Sequence, residues 1–369
     1  MKINKTKKNI FIAATGQNVG KTTNSVGLFS KLIKNNVNAG FIKPVGQRYV
    51  KVNKIKIDED SYLVNKVFNL EFELKDMNPI AVPRGFTEDY IENPNPEKIL
   101  KEIIESYQRI QDSSDFVVIE GTGHAGVGSV FDSSNPVVAK ALQSKVVLVT
   151  NGGIGNSIDQ LILNKSLFDQ AGVEILGVII NKVLEEKYDK IKRVIEVGLK
   201  HKGLKLLGVV PYKKSLESPH MGQLSHILKG EFISGKENKT NPIQNIIVGA
   251  MSVSHLLTII KKDTLIITPG DREDIILAAL SHGLTNIEEQ INNVAGIVIT
   301  GNICPTPEVL KIIQHSQIPI IICKYDTFNC ASLVHDSKVK IQSNDKQKIE
   351  LSRTLFDEYV DYDYIMENA

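Results

Sequence analysis

A chain of 369 residues is longer than one typical domain, so two domains, each with its own core, are the first expectation. At 42% hydrophobic and 23% charged, with Gly 26 and Pro 13, the composition is globular and excludes a disordered or fibrous chain. A formal net charge of +2, from 44 basic and 42 acidic residues, supplies no overall field toward nucleic acid or anionic lipid, and neither is expected as a partner.

In chain order, MKINKTKK is basic without the apolar centre of a secretory signal and reads as a frayed, solvated end. From residue 9 to about residue 211, short apolar runs alternate with amphipathic stretches, the pattern of repeated βα units. The predicted strands are NIFIAA, AGFIKP, DFVVIEG, KVVLVT, EILGVIIN and LKLLGVVP. Several are apolar throughout, as strands covered by helices on both faces must be, and the expected fold is α/β with a doubly wound parallel sheet. None of these runs approaches the length of a bilayer span.

After Pro211 the polar stretch HILKGEFISGKENKTNP shows no period and reads as a domain junction. A second alternation begins beyond it: QNIIVGA, a short helix near Ser254, TLIITP, a helix from Asp271, AGIVIT, a helix from Pro307, and IPIIICKYD. It predicts a second, smaller α/β domain. The acidic end carries Leu351, Leu355, Tyr359 and Tyr362 at near-helical spacing, readable as a helix packed on its own domain or as a partner-binding tail. The domains so drawn are 1–213, 214–340 and a C-terminal helical tail over 341–369. Cys304, Cys323 and Cys330 form no C-x-x-C pair, which points to a reducing, cytoplasmic setting without disulfides or zinc.

The segment ATGQNVGKTT, residues 14–23, comes directly after the first apolar strand and opens a predicted helix. Phosphates need several backbone N–H donors converging on one point, and a glycine-containing loop feeding a helix N-terminus supplies them. Lys21 adds a point charge, and the Thr22 hydroxyl suits a Mg²⁺ that bridges the terminal phosphates. This is a P-loop, with Asn18, Val19, Gly20, Lys21, Thr22 and Thr23 around an expected ATP. It departs from the usual pattern in having Thr15 where a glycine normally begins the loop, with Gly16 next.

With these residues in view, the first two hundred positions resemble the dethiobiotin synthetase-like ATPases, a group that includes cobyrinic acid a,c-diamide synthase. The resemblance rests on ATGQNVGKTT, AGFIKPVG, IDEDSY and VVIEGTG, in that order. It implies that Lys43 lies near the γ-phosphate as a second catalytic cation beside Lys21, and that Asp60 and Glu120 hold Mg²⁺ with Thr22. It implies also that Asn181 reads the adenine edge and that Pro211 closes the base pocket. On the residues alone, Lys43 can also be read as a solvent lysine ending a strand, Asp60 as part of a solvated helix start, and Asn181 as a turn residue. His124, in the glycine-rich segment after Glu120, reads as an acid, base or phosphate contact, or as a loop histidine without chemistry. Gly16, Gln17, Gln47 and Arg48 stand where the synthetases have substrate-handling residues, so the substrate pocket differs.

Residues 214–340 resemble the DRTGG domain through IIVGAMS, ITPGDREDIILAAL, GIVITGN and IPIIICKYDTF. Asp271 and Arg272 of the naming motif remain, while Glu273 and Asp274 replace its next two residues. Between strand and helix, Pro269 to Arg272 read as an anion site or as an N-cap with a salt-bridged arginine. The two-domain order resembles the N-terminal half of long phosphate acetyltransferases, and the chain ends before an acetyltransferase domain would fit, so acetyl transfer is not expected. The resemblance implies a Mg²⁺-ATP-dependent ligase or ATPase acting on a small carboxylate or amine. The alternative is a nucleotide-sensing module with a regulatory protein partner through the second domain. Such domains self-associate, so a homo-oligomer is expected.

Overall fold

The computed structural model describes residues 7–285, 293–337 and 339–369. Most of the N-terminal stretch expected to be a solvated end, residues 1–6, lies outside the described residues. The chain forms two compact units, Met1–Tyr212 with Ile341–Ala369, and Lys213–Lys340.

In the first unit, the six apolar runs become six parallel strands: β1 (Lys8–Ala14), β2 (Ala39–Ile42), β3 (Phe116–Glu120), β4 (Val146–Asn151), β5 (Ile175–Val183) and β6 (Leu206–Pro211). Their order across the sheet is β6-β5-β4-β1-β3-β2. Every residue of β2 and β3 is buried, as the uninterrupted apolar sequence requires of strands packed on both faces. Strand order reverses around β1, whose neighbours β3 and β4 come from later in the chain, and such a switch point opens a crevice at the strands' carboxyl ends. Helix α1 (Lys21–Lys34) leaves from that end of β1.

The C-terminal segment does not stand apart as a tail, nor does it join the second unit. Helix Lys346–Tyr359 packs along α1, where Phe356 lies so close to Gly27 that a Cβ on Gly27 would sit 2.3 Å from the Phe356 Cβ. Arg353 Nε donates to Ser30 Oγ at 3.1 Å, Lys31 pairs with Asp357 at 3.0 Å, and Asp361 N donates to Leu207 O at 2.8 Å. The amphipathic spacing announces a helix with one apolar face, but not which surface receives it.

The second unit holds the strands Glu231–Ser234, Asn245–Val248, Thr264–Pro269, Val294–Thr300 and Ile320–Ile322. All pairs are parallel except the first strand, which runs antiparallel along Ile320–Ile322 at the sheet edge. Alternation along Thr264–Pro269 sends Ile266 into one core with Ile275, Ile297 and Ile313, and sends Leu265 and Ile267 into another with Leu224, Val298 and Cys330. Strand Glu231–Ser234 and the last two residues of helix Met221–Ile227 lie within the stretch read from sequence as a junction. A four-residue, half-buried edge strand between Gly230 and Gly235 leaves no period to detect. Among the described residues, no helix is long and apolar enough to cross a membrane.

Candidate nucleotide site

The loop between β1 and α1 has two residues in the left-handed region, Asn18 (φ 56°) and Gly20 (φ 100°). Gly20 is required twice over, because a Cβ there would also lie 1.9 Å from Asn181 Nδ2. Thr15 needs no positive φ, so a non-glycine residue is tolerated at that place. It is tied instead to the end of β4, by its N–H to Val149 O at 3.0 Å and its hydroxyl to Thr150 at 2.9 Å. Helix α1 begins at Lys21, and the opening turn of any α-helix directs N–H donors without intrahelical acceptors outward along its axis. Lys21 Nζ donates to Gly123 O at 2.8 Å and Gly16 O at 3.2 Å, joining the loop to the segment beyond β3.

On the other side of the crevice, four charged groups converge. Lys43, just past β2, lies 3.1 Å from Asp58 and 3.4 Å from Glu120, and is ion-paired and hydrogen-bonded to Asp60. None exceeds 4% exposure, so the solvent-lysine and solvated-helix-start readings of Lys43 and Asp60 both fail. Burial opposes the charge on Lys43, but Asp60, Asp58 and Glu120 outweigh it and hold the ammonium well above its ordinary proton affinity. One ammonium faces three carboxylates, and burial pushes the Glu120 carboxyl up against the opposing pull of Lys43. Glu120 Oε1 accepts from Thr22 Oγ1 at 3.1 Å. Ser25 lies close enough to favour charged Glu120 without hydrogen-bond geometry, and Glu120 Oε2 is left buried with no well-formed partner.

Two buried asparagines hold this arrangement and carried no sequence signal. Asn78 donates to Lys43 O and accepts from Asp58 N, both at 2.9 Å, clamping the exit of β2 to the start of helix Glu59–Phe68. Asp58 caps that helix by accepting from Asp60 N at 2.9 Å. Asn135 does the same for the segment after Glu120, with bonds to Thr122 N, Thr122 O and His124 O.

Of the other residues expected here, Thr23 lies in the first turn of α1 and Val19 is buried in the loop. Asn181 donates to Val19 O at 2.8 Å, and Lys182 Nζ bonds Asn18 O, so the end of β5 pins the loop from behind. Pro211 is buried at the end of β6, opposite Val183. His124 is exposed and accepts from Gly126 N at 3.2 Å, within its own loop. Among the described residues no group of three or more His, Cys, Asp and Glu side chains is disposed to hold a metal ion. Asp60 meets Glu120 through Lys43, and the oxygens that meet directly are those of Thr22 and Glu120. An unbonded carboxylate oxygen beside a hydroxyl is a donor set that suits a hard divalent cation. In the second unit, Arg272 is a clasp: it pairs with Asp274 at 2.9 Å and donates to Met251 O at 2.9 Å.

A parallel sheet whose central strand feeds a positive-φ loop into a Lys-Thr-Thr helix start defines a protein of the P-loop fold. The chain belongs to the AAA domain family AAA_26, whose model matches residues 8–220, and residues 223–337 match the DRTGG domain. This is the domain order of the N-terminal half of long phosphate acetyltransferases. The phosphate acetyltransferase of Nitratidesulfovibrio vulgaris is 26% identical over 363 residues, covering 96% of this chain and 50% of that one. That of Pseudomonas aeruginosa is 25% identical over 376 residues, covering 97% and 52%. The chain thus spans about half the length of these relatives. Among solved structures, the septum site-determining protein MinD of Pyrococcus horikoshii OT3 matches with 20% identity and a TM-score of 0.36, over 57% of this chain and 83% of that one.

Proposed function

We propose that the first unit binds Mg²⁺-ATP and that nucleotide occupancy, communicated to a partner or to further chain, is its function. The observation that carries this reading is the convergence of Lys21, Thr22 and Glu120 at the carboxyl end of β1 and β3. Phosphates would lie on the loop and the opening turn of α1, and Lys21 would exchange the carbonyls of Gly16 and Gly123 for phosphate oxygens. Thr22 and Glu120 would hold the cation, which when bound neutralises charge on the terminal phosphates. Asn181 and Lys182 keep the loop in register from behind.

The state of Lys43 favours sensing over turnover. A cation that stabilises a transferred phosphoryl must face it, whereas the Lys43 ammonium is buried among Asp58, Asp60 and Glu120. A second reading, an ATP-coupled ligase of the dethiobiotin synthetase kind acting on a small carboxylate or amine, is favoured by the presence of that lysine at the site. The relatives named above are transferases and add nothing to it. Measuring bound ATP and released phosphate on the same sample separates the two. Stoichiometric Mg²⁺-dependent binding without release, across a panel of small dicarboxylates and diamino acids, supports sensing, and release that depends on one compound and on Lys21 overturns it.

A further inference from the structure

Between Lys43 and Asp58 the sequence holds Arg48, Lys51, Lys54 and Lys56 and no acidic residue, a concentration of charge unlike the near-neutral whole. This stretch is an antiparallel hairpin, Tyr49–Val52 with Ile55–Asp58, forming a two-stranded sheet by itself. Its register places Lys51 opposite Lys56 and Tyr49 opposite Asp58. Side chains alternate along a strand, so Tyr49, Lys51, Lys56 and Asp58 share one face. The Lys56 ammonium lying 5.2 Å over the Tyr49 ring is the diagonal contact that this register requires.

Like charges directly opposite each other destabilise a strand pair, and an isolated hairpin has little stability to spare. None of Arg48, Lys51, Lys54 and Lys56 makes an ion pair with any described residue, and all four are exposed. The hairpin is nevertheless anchored at the nucleotide site: Glu59 N donates to Arg48 O at 3.0 Å, and Asp58 reaches Lys43. The face that carries Lys51 and Lys56 is therefore continuous, through Asp58, with the buried Lys43 cluster.

We infer that this hairpin face binds a small anion carrying two or more negative charges, held by Lys51 and Lys56, beside the nucleotide site. The hairpin spans only two cross-strand pairs on this face, which suits a small phosphorylated or polycarboxylate compound. The inference deepens the nucleotide reading above by naming the class of the second ligand, and rests on it only for what that ligand is for.

Titration calorimetry with inorganic phosphate, pyrophosphate, succinate and citrate, at fixed ionic strength, tests it on wild type, K51E/K56E and Lys21→Ala. At least one probe should bind wild type and Lys21→Ala alike, with K51E/K56E weakened about tenfold or more and its ATP binding retained. The phosphate and carboxylate arms identify which anion is taken. If K51E/K56E fails to fold, K51Q/K56Q is measured instead, with the same weakening expected. No probe binding to wild type, or equal binding by the variants, overturns the inference. Anion binding that survives while wild type binds no ATP would overturn the nucleotide reading and leave this one standing.

Discussion

Replacing Lys43 by Ala should destabilise the first unit as well as change its chemistry. The ammonium is the counter-charge of Asp58 at 3.1 Å, Glu120 at 3.4 Å and Asp60, all buried. Removing one partner of a buried ion pair leaves uncompensated charge and typically costs about 3–5 kcal/mol; here three carboxylates are stranded, so the upper half of that range is expected. For a unit of this size each kcal/mol lowers the melting temperature by about 2–4 °C, which makes a drop of roughly 8–20 °C. The pH dependence identifies the cause. In wild type, the raised affinity of Lys43 for its proton contributes stability that is full below the unfolded lysine value and is lost only as pH rises through the higher folded one. In the variant, the Glu120 carboxyl, raised by burial, loses the opposing pull of Lys43, so stability is recovered as pH falls toward the ordinary carboxylate range. Thermal denaturation of both proteins from pH 8 to pH 5 should show the gap narrowing on acidification. A variant as stable as wild type at pH 8, or a gap that does not vary with pH, would refute the buried-charge argument.

Glu120→Gln should act in the opposite sense on stability. Burial raises the Glu120 carboxyl, so its favourable contribution is present below the unfolded value and is lost as pH rises through the higher folded one. The amide should therefore leave stability unchanged or raise it by on the order of 1 kcal/mol in denaturant titration, while Mg²⁺-dependent nucleotide binding is lost; a loss above about 2 kcal/mol would contradict this. Gly20→Ala forces a side chain into φ 100° and against Asn181, at roughly 1–2 kcal/mol for the backbone alone. Nucleotide affinity should fall about tenfold or more by fluorescence titration, and wild-type affinity would show that the loop does not need this conformation. Phe356→Ala removes the buried ring packed against Gly27 and should cost about 3–5 kcal/mol in the melting of the first unit, with new protease cleavage confined to 341–369. Cleavage there without any loss of stability would mean that this segment is not part of the first unit's core.

The fold was legible where a physical signal is local. Uninterrupted apolar runs marked all six strands of the first sheet, and a strand, loop and helix in order marked the phosphate loop. What the sequence did not disclose depends on partners distant in the chain. Asn78 and Asn135 are polar residues in irregular segments, and only the fold brings them against Lys43 and the segment after Glu120. Lys43 and Asp60 could also be read as surface charges, because burial of Lys43 is decided by the carboxylates it meets, 17 and 77 residues further on. Gly27 is the mark of the C-terminal helix on α1, but a glycine within a helix says nothing of Phe356 until the two are packed. His124 was readable as a chemical group or as a loop histidine without chemistry, and its ring accepts from Gly126 N within its own loop.

The central claim is that the loop around Lys21 binds Mg²⁺-ATP. Equilibrium titration of the wild-type protein and Lys21→Ala with a fluorescent ATP analogue, with and without Mg²⁺, tests it most directly. Saturable, Mg²⁺-dependent binding by wild type and a weakening of about a hundredfold in Lys21→Ala are predicted, equivalent to roughly 2.7 kcal/mol for the lost charge-assisted bonds to phosphate. Absence of binding by wild type, or equal binding by the two proteins, would contradict the account.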